Sequence, residues 1–306
     1  MNKTLQGTLT VSLSFILWGF FPIYWKWLEI VPARQILAHR IFWTVGFLAV
    51  IISLQHNWPK MIQVCRSWKN ITFLFATSLL IAINWLTYIY GVNTNRIVET
   101  SLGYFINPLI NVVLGVIVLR EKMQIWQSIA VFLALCGVVI LTMSYGRVPW
   151  IALTLAFSFG TYGLLRKIAN IDSIIGLTIE TSVLFPVTLL AFGFWHVQGE
   201  LVFFDSGWDI AVLCVGTGIV TAIPLLLYTH GVPYIRYTTT GILQYFAPTL
   251  QLLVGTLIYG ELFTPIHRIS FGLIWAGLLI YSIVSIREYQ RDTVKATAPD
   301  LEGIFK

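Results

Sequence analysis

The chain has 306 residues; 57% are hydrophobic, 15% aromatic and 10% charged, and the formal net charge is +6. A water-soluble domain carries about 25% charged residues, so with a mean hydropathy of +0.81 this chain cannot clothe itself for water and belongs in a lipid bilayer. The basic excess is what Lys and Arg gathered in cytoplasmic loops produce, and no nucleic-acid partner is expected.

A helix needs roughly 20 apolar residues to cross the hydrocarbon core. Ten such segments follow in chain order: 7–27, 34–54, 71–92, 97–119, 124–144, 148–166, 173–195, 208–230, 236–259 and 267–286. The first opens MNKTLQGTLTVSLSF with no small-residue cleavage site, so it reads as a retained helix and not a removed signal peptide. Two connections are long, QHNWPKMIQVCRSWKN after the second span and HVQGELVFFDSGWD after the seventh. The charged tail 289–306 is expected to be disordered and cytoplasmic. With the N-terminus inside, Lys26, Arg34, Arg40, Arg96, Arg147 and Arg268 fall outside and the other 13 of the 19 basic residues inside. The positive-inside rule therefore places both termini in the cytoplasm.

The segment YFINPLINVVLGVIVLREK at 104–122 has an echo in YFAPTLQLLVGTLIYGEL at 245–262. A shift of 140 residues lays Pro108 on Pro248, Gly115 on Gly255, Glu121 on Glu261, Leu133 on Leu273 and Gly137 on Gly277. Upstream it lays Tyr88 on Tyr228, Gly91 on Gly231 and Thr100 on Thr240. Each copy holds five spans, an odd number, so the second enters the membrane from the opposite face. That is the inverted repeat of secondary transporters, whose halves rock about a midplane site. The expected fold is an all-α polytopic membrane protein with ten transmembrane helices in two inverted five-helix repeats, 1–146 and 147–288.

Polar side chains inside spans carry the functional signal, because a charge at mid-span costs about 2.5–3.5 kcal/mol and must face a partner or a cavity. Glu180 in GLTIETSVLFP is roughly 12 Å into its span at 1.5 Å per residue. A shift of 141 residues lays it on His39, beside Arg40. An acid and a base pair at equivalent positions suggest a central charge pair or relay, with a packing ion pair as the competing reading. Glu180 is also the candidate for proton coupling, since a proton needs only a titratable group. Tyr104, Asn107 and Asn111 share one helix face, and Gln244, Tyr245 and Gln251 repeat that polarity on the ninth span. These stripes would line one cavity or, equally, bond helix to helix. Asn84, Trp85 and Tyr88, with Tyr228 on the eighth span and Trp43 on the second, would form an aromatic, partly polar wall. Gly115 and Gly255 read as packing glycines. Glu121 reads as a helix-end acid offset by Arg120 and Lys122, and Lys26, Arg166 and Lys167 as snorkelling cations.

Catalytic signatures are missing: there is no P-loop, HExxH, GxSxG or dinucleotide fingerprint. Cys65, Cys136 and Cys214 stand apart, with no CxxC or His at metal spacing. No enzyme activity, metal or cofactor is expected.

The segments LAHRIFWTVGF, AINWLTYIYGVN, VETSLGYFINPLINVVLG, PWIALTLAFSFGTYGLLRK, GLTIETSVLFP and IYGELFTP resemble the RarD proteins, from about residue 4 to 288. These form a branch of the EamA transporters in the drug/metabolite transporter superfamily. The resemblance implies ten helices in two EamA repeats, a bacterial inner-membrane location and a permease role similar to exporters of amino acids, metabolites or drugs. Its matching positions are His39, Arg40, Trp43, Asn84, Trp85, Glu99, Asn107, Pro108, Asn111 and Glu180. The expected protein is a secondary transporter of a small organic solute by alternating access, partnered by the bilayer and with protons as the candidate coupling ion. A non-transporting sensor or scaffold, or an intramembrane enzyme using His39 and Glu180, are the alternatives.

Overall fold

Regular structure among the described residues is helical throughout, with no strand. The computed structural model describes residues 2–94, 97–144, 146, 149–169, 171–204, 207–260 and 264–297. α1 (Lys3–Gly19) starts where the Asn2 side chain accepts the Thr4 N–H at 2.9 Å, covering a donor that a helix start leaves open. Phe20 interrupts it before α2 (Phe21–Trp27), whose Pro22 sits where no backbone donor is needed. α3 (Ala33–Leu54), α4 (Trp58–Arg66), α5 (Trp68–Asn93), α6 (Ile97–Ile117), α7 (Ile125–Ser144) and α8 (Trp150–Ile168) follow. α9 (Ser173–Val197) is capped by Asp172, which accepts from the Ile174 and Ile175 N–H groups. After it come α10 (Trp208–Gly231), α11 (Tyr237–Leu243), α12 (Phe246–Leu253), a π-helical stretch Val254–Ile258 and α13 (Pro265–Thr297).

Each expected apolar segment falls on helix, but ten crossings are not what length and apolarity support. Eight stretches among the described residues meet both conditions: Lys3–Trp27, Ala33–Leu54, Trp68–Tyr88, Ile125–Ser144, Ser173–Val197, Trp208–Tyr234, Tyr237–Ile258 and Pro265–Glu288. The apolar part of α6 is shorter, Leu102–Ile117. α8 carries Thr154, Ser158, Thr161, Arg166 and Lys167 in 19 residues and is not among those eight.

Three features depart from the expected pattern. The connection after α3 contains its own helix, α4. The ninth segment is broken at Gln244 and Tyr245, whereas α6 runs through Pro108 unbroken. Pro248 has no N–H for the carbonyl four residues earlier, that of Gln244, and the chain tightens there through Tyr245 N to Ile242 O and Ala247 N to Gln244 O, both at 3.2 Å. α13 stays helical past residue 288 to Thr297, where disorder was expected; residues 298–306 lie outside the described residues.

The chain packs as two compact units. One holds residues 1–121 and 147–262, the other 122–146 and 263–306. Neither is a half of the sequence: the last helix of each half, α7 and α13, makes the second unit. In the first unit Val11, Phe15, Leu48, Ile81, Trp85, Tyr162, Tyr228 and Tyr237 share one buried core. In the second, a Cβ added to Gly137 would lie 2.5 Å from the Ser270 carbonyl oxygen, and one added to Gly277 would lie 2.5 Å from that of Ala130. Only glycine lets α7 and α13 approach so closely. Large apolar side chains face outward along the helices, Leu54, Met143, Leu190, Val197 and Leu257 among them, a surface that suits lipid and not water.

Candidate functional site

The site is built where α3 meets α10. A Cβ on Gly218 would lie 2.6 Å from the Trp43 carbonyl oxygen, so the missing side chain brings the two backbones together. Thr44 Oγ1 donates to the Gly218 carbonyl at 3.2 Å. About one turn further along each helix, running in opposite directions, Arg40 Nε donates to Thr221 Oγ1 at 3.0 Å.

The Arg40 guanidinium lies over two indoles, Trp25 at 5.1 Å and Trp85 at 5.0 Å to the ring centroids, contacts that favour a cation. Tyr88 and Tyr104 stand close enough to couple electrostatically with it, and their rings meet edge to face at 6.3 Å. Thr221 and Trp85 are buried, while Arg40, Trp25, Tyr88 and Tyr104 are half-buried. Among the described residues no carboxylate pairs with Arg40, and its terminal nitrogens have no hydrogen-bond partner. α2, α3, α5, α6 and α10 together hold this cage.

Glu180 does not join Arg40 or His39, so the expected central charge pair is not formed. Its carboxylate accepts from Thr77 Oγ1 at 2.6 Å and from the Tyr162 hydroxyl at 3.2 Å, and its ion-pair partner is Arg166 at 3.6 Å. The cation read as snorkelling is in fact buried, because α8 carries it inward against Gly176, where any side chain would collide with the guanidinium. His39 is a separate feature. Its Nδ1 accepts from Trp43 Nε1 at 3.2 Å, which puts the ring proton on Nε2, and its ring lies between Phe192 and Phe203 at 4.8 and 5.0 Å.

The two polar stripes reach neighbouring helices. Asn84 Nδ2 donates to the Leu155 carbonyl at 2.9 Å and to Ser158 Oγ at 3.0 Å. Asn107 Nδ2 donates to the Ala156 carbonyl at 3.2 Å, and Asn111 Nδ2 to Gln244 Oε1 at 2.6 Å. The Tyr245 hydroxyl donates to the Phe105 carbonyl at 3.3 Å, and Gln251 Nε2 to that of Trp18 at 3.1 Å. Tyr228 is wholly buried, ringed by Phe15, Trp18 and Phe159 at 5.6–5.9 Å. Of the sequence-derived candidates, Trp85, Tyr88 and Tyr104 gather about Arg40. The side chain of Glu99 lies outside the described residues.

Residues 5–143 and 148–283 both match the EamA-like transporter family. The chain belongs to the EamA family. This chain is 42% identical over 290 residues to the uncharacterized transporter YojE of Bacillus subtilis, covering 93% of this chain and 96% of that one. It is 37% identical over 290 residues to the protein RarD of Escherichia coli, covering 95% and 98%. A solved crystal structure superposes with a TM-score of 0.68 at 18% identity, covering 92% of this chain and 98% of that one, a likeness of fold. The EamA protein is thus a multi-pass membrane protein of a transporter family.

Three anchoring contacts in the EamA protein escaped the sequence. Trp25, the second indole of the cage, was hidden among the twelve tryptophans of a bilayer protein. Glu121 does not merely end a helix. Arg120 adopts a left-handed φ of 54° and the Glu121 N–H returns to the Gly115 carbonyl at 3.0 Å, a helix-closing turn. The Glu121 carboxylate then accepts from the Tyr237 N–H at 2.6 Å and the Thr238 N–H and Oγ1 at 2.9 Å, capping α11. Gly115 leaves room for that contact. At the start of α3, Gln35 Nε2 donates to the Glu200 carbonyl at 2.6 Å and Arg34 pairs with the Glu200 carboxylate at 2.5 Å. The echo at Glu261 could have flagged Glu121 as more than a helix end; nothing in the sequence joined Gln35 to Glu200.

Proposed function

We propose that the protein is a secondary transporter that moves a small organic solute, in the export direction, by alternating access between two inverted five-helix halves, 1–146 and 147–288. It works in the bacterial inner membrane with both termini in the cytoplasm. The observation that carries this reading is Arg40. A cation inside the bilayer is ordinarily paired, as Arg166 is with Glu180. Arg40 has no carboxylate partner among the described residues and is held instead by one threonine and two indoles.

Two further features support the reading. The ninth segment departs from regular α-helix for one turn at Gln244 and Tyr245, and irregular backbone of that kind is where carriers place a binding site. The contacts of Gly137 with Ser270 and of Gly277 with Ala130 exchange positions 140 residues apart, as a two-fold relation between halves requires. The export direction is what the resemblance to the RarD branch implies. Glu180, the deepest acid, is the group through which a proton gradient would couple to transport.

An exchange assay that scans many solutes at once tests the proposal. Proteoliposomes filled with unlabelled metabolite extract are placed in extract from 13C-grown cells, and their contents are read by mass spectrometry. At least one labelled solute should enter faster than into protein-free vesicles. Equal entry for every solute would leave only a scaffold or sensor.

A further inference from the structure

We infer that the solute is a small flat organic anion, a carboxylate borne on an aromatic group, gripped end-on by the terminal nitrogens of Arg40. This rests on the reading of the Arg40 cage as the solute site, and it names what that site selects.

Charge is the first argument. The groups that face Arg40 are Trp25 of α2, Trp85 and Tyr88 of α5, Tyr104 of α6 and Thr221 of α10. All are neutral. A neutral solute that covered the guanidinium would take it from water and leave it uncompensated, and a cationic one would add repulsion. An anion completes the ion pair that the fold leaves open, as Glu180 completes it for Arg166.

Geometry is the second. A guanidinium offers planar, two-pronged donation that matches a carboxylate. Thr221 already takes Nε, which removes the side-on prong and leaves the pair of terminal nitrogens. A carboxylate reaching them lies in the guanidinium plane. The guanidinium itself covers the Trp25 and Trp85 faces turned to it, so the aromatic surface left for a flat group behind the carboxylate is that of the Tyr88 and Tyr104 rings, which meet edge to face. The tyrosine hydroxyls can donate to an anion and carry no negative charge with which to repel one. The same cage without Arg40 would favour any aromatic solute; with it, the anion is selected.

Benzoate, benzyl alcohol and benzylamine share one ring and differ in charge. Titrated into the full-length protein in detergent, with tryptophan fluorescence and calorimetry as readouts, benzoate should bind at least about tenfold more tightly than either congener, the usual scale of a charged hydrogen-bonded pair. Arg40→Gln should remove that preference, and Arg40→Lys, a point charge without the fork, should keep only part of it. The congener comparison is made in the unaltered protein, so it stands even if Arg40→Gln fails to fold. Equal binding of benzyl alcohol, tighter binding of benzylamine, or no binding of benzoate overturns the inference. If benzoate binds through Arg40 but no labelled solute exchanges in proteoliposomes, the anion site stands and transport falls. If neutral solutes exchange and benzoate is ignored, transport stands and the anion falls.

Discussion

Arg166 Nη1 stands 3.6 Å from Glu180 Oε1, and each side chain keeps only 1% of its surface exposed. Removing one member of such a pair leaves a buried charge alone, at about 3–5 kcal/mol, whereas replacing both by apolar groups is often neutral. Arg166→Met and Glu180→Leu should therefore each destabilise the protein by that order, and the double variant should recover most of the loss. Thermal unfolding in detergent reads all four proteins. Additive losses would mean that the two groups do not act as a pair.

The proposal that Glu180 couples transport to protons is tested by a variant that keeps the cluster polar but removes its titration. In the pair Arg166→Gln/Glu180→Gln, solute exchange at equal pH should persist, while accumulation driven by a pH gradient should vanish. Accumulation that follows the gradient as in the parent would exclude Glu180 as the coupling group.

Two glycines on packed helices give a matched test of what brings Arg40 to Thr221. A Cβ at Gly218 runs into the Trp43 backbone, while Gly46 has no neighbour within 4 Å of that position. Gly218→Ala should cost about 1–3 kcal/mol through overpacking and weaken whatever binds at Arg40. Gly46→Ala, on an open helix face, should be neutral or stabilising by up to about 1 kcal/mol. Equal unfolding temperatures for the two would contradict the backbone contact between α3 and α10.

The helical architecture was readable from apolar run length alone, because a bilayer demands long, internally bonded helices. The polar set around Arg40 was partly readable for the same reason: Arg40, Trp85, Tyr88 and Tyr104 stand out where lipid excludes polarity. Which charge meets which was not. Register along a uniformly apolar helix is free until a glycine or a clash fixes it, so nothing in GLTIETSVLFP said that Gly176 would admit Arg166 beside Glu180 and leave Arg40 unpaired. The break at Gln244 was equally hidden, since Pro108 in the matching segment breaks nothing. Of the ten expected crossings, α6 and α8 fall outside the eight long apolar stretches among the described residues, α8 because its small polar residues and the Arg166–Lys167 pair dilute its apolarity.

Glu121 closes the turn after α6 onto the first N–H groups of α11. Charge-assisted caps of this kind are worth about 1–3 kcal/mol. Glu121→Ala should lower stability by that amount and Glu121→Gln by less, because the amide keeps one acceptor oxygen. Thermal unfolding separates the three proteins, and a parent-like melting temperature for Glu121→Ala would show that the cap carries no weight.

The role of Arg40 as the solute-binding cation of a carrier is tested most directly by isotope exchange in proteoliposomes, parent against Arg40→Gln, with both proteins matched for insertion and folding. Labelled solute should enter parent vesicles faster than protein-free ones, and entry through Arg40→Gln should fall at least about tenfold, the scale of a lost charged hydrogen-bonded pair. Unchanged entry through Arg40→Gln, or no entry through the parent, would contradict it.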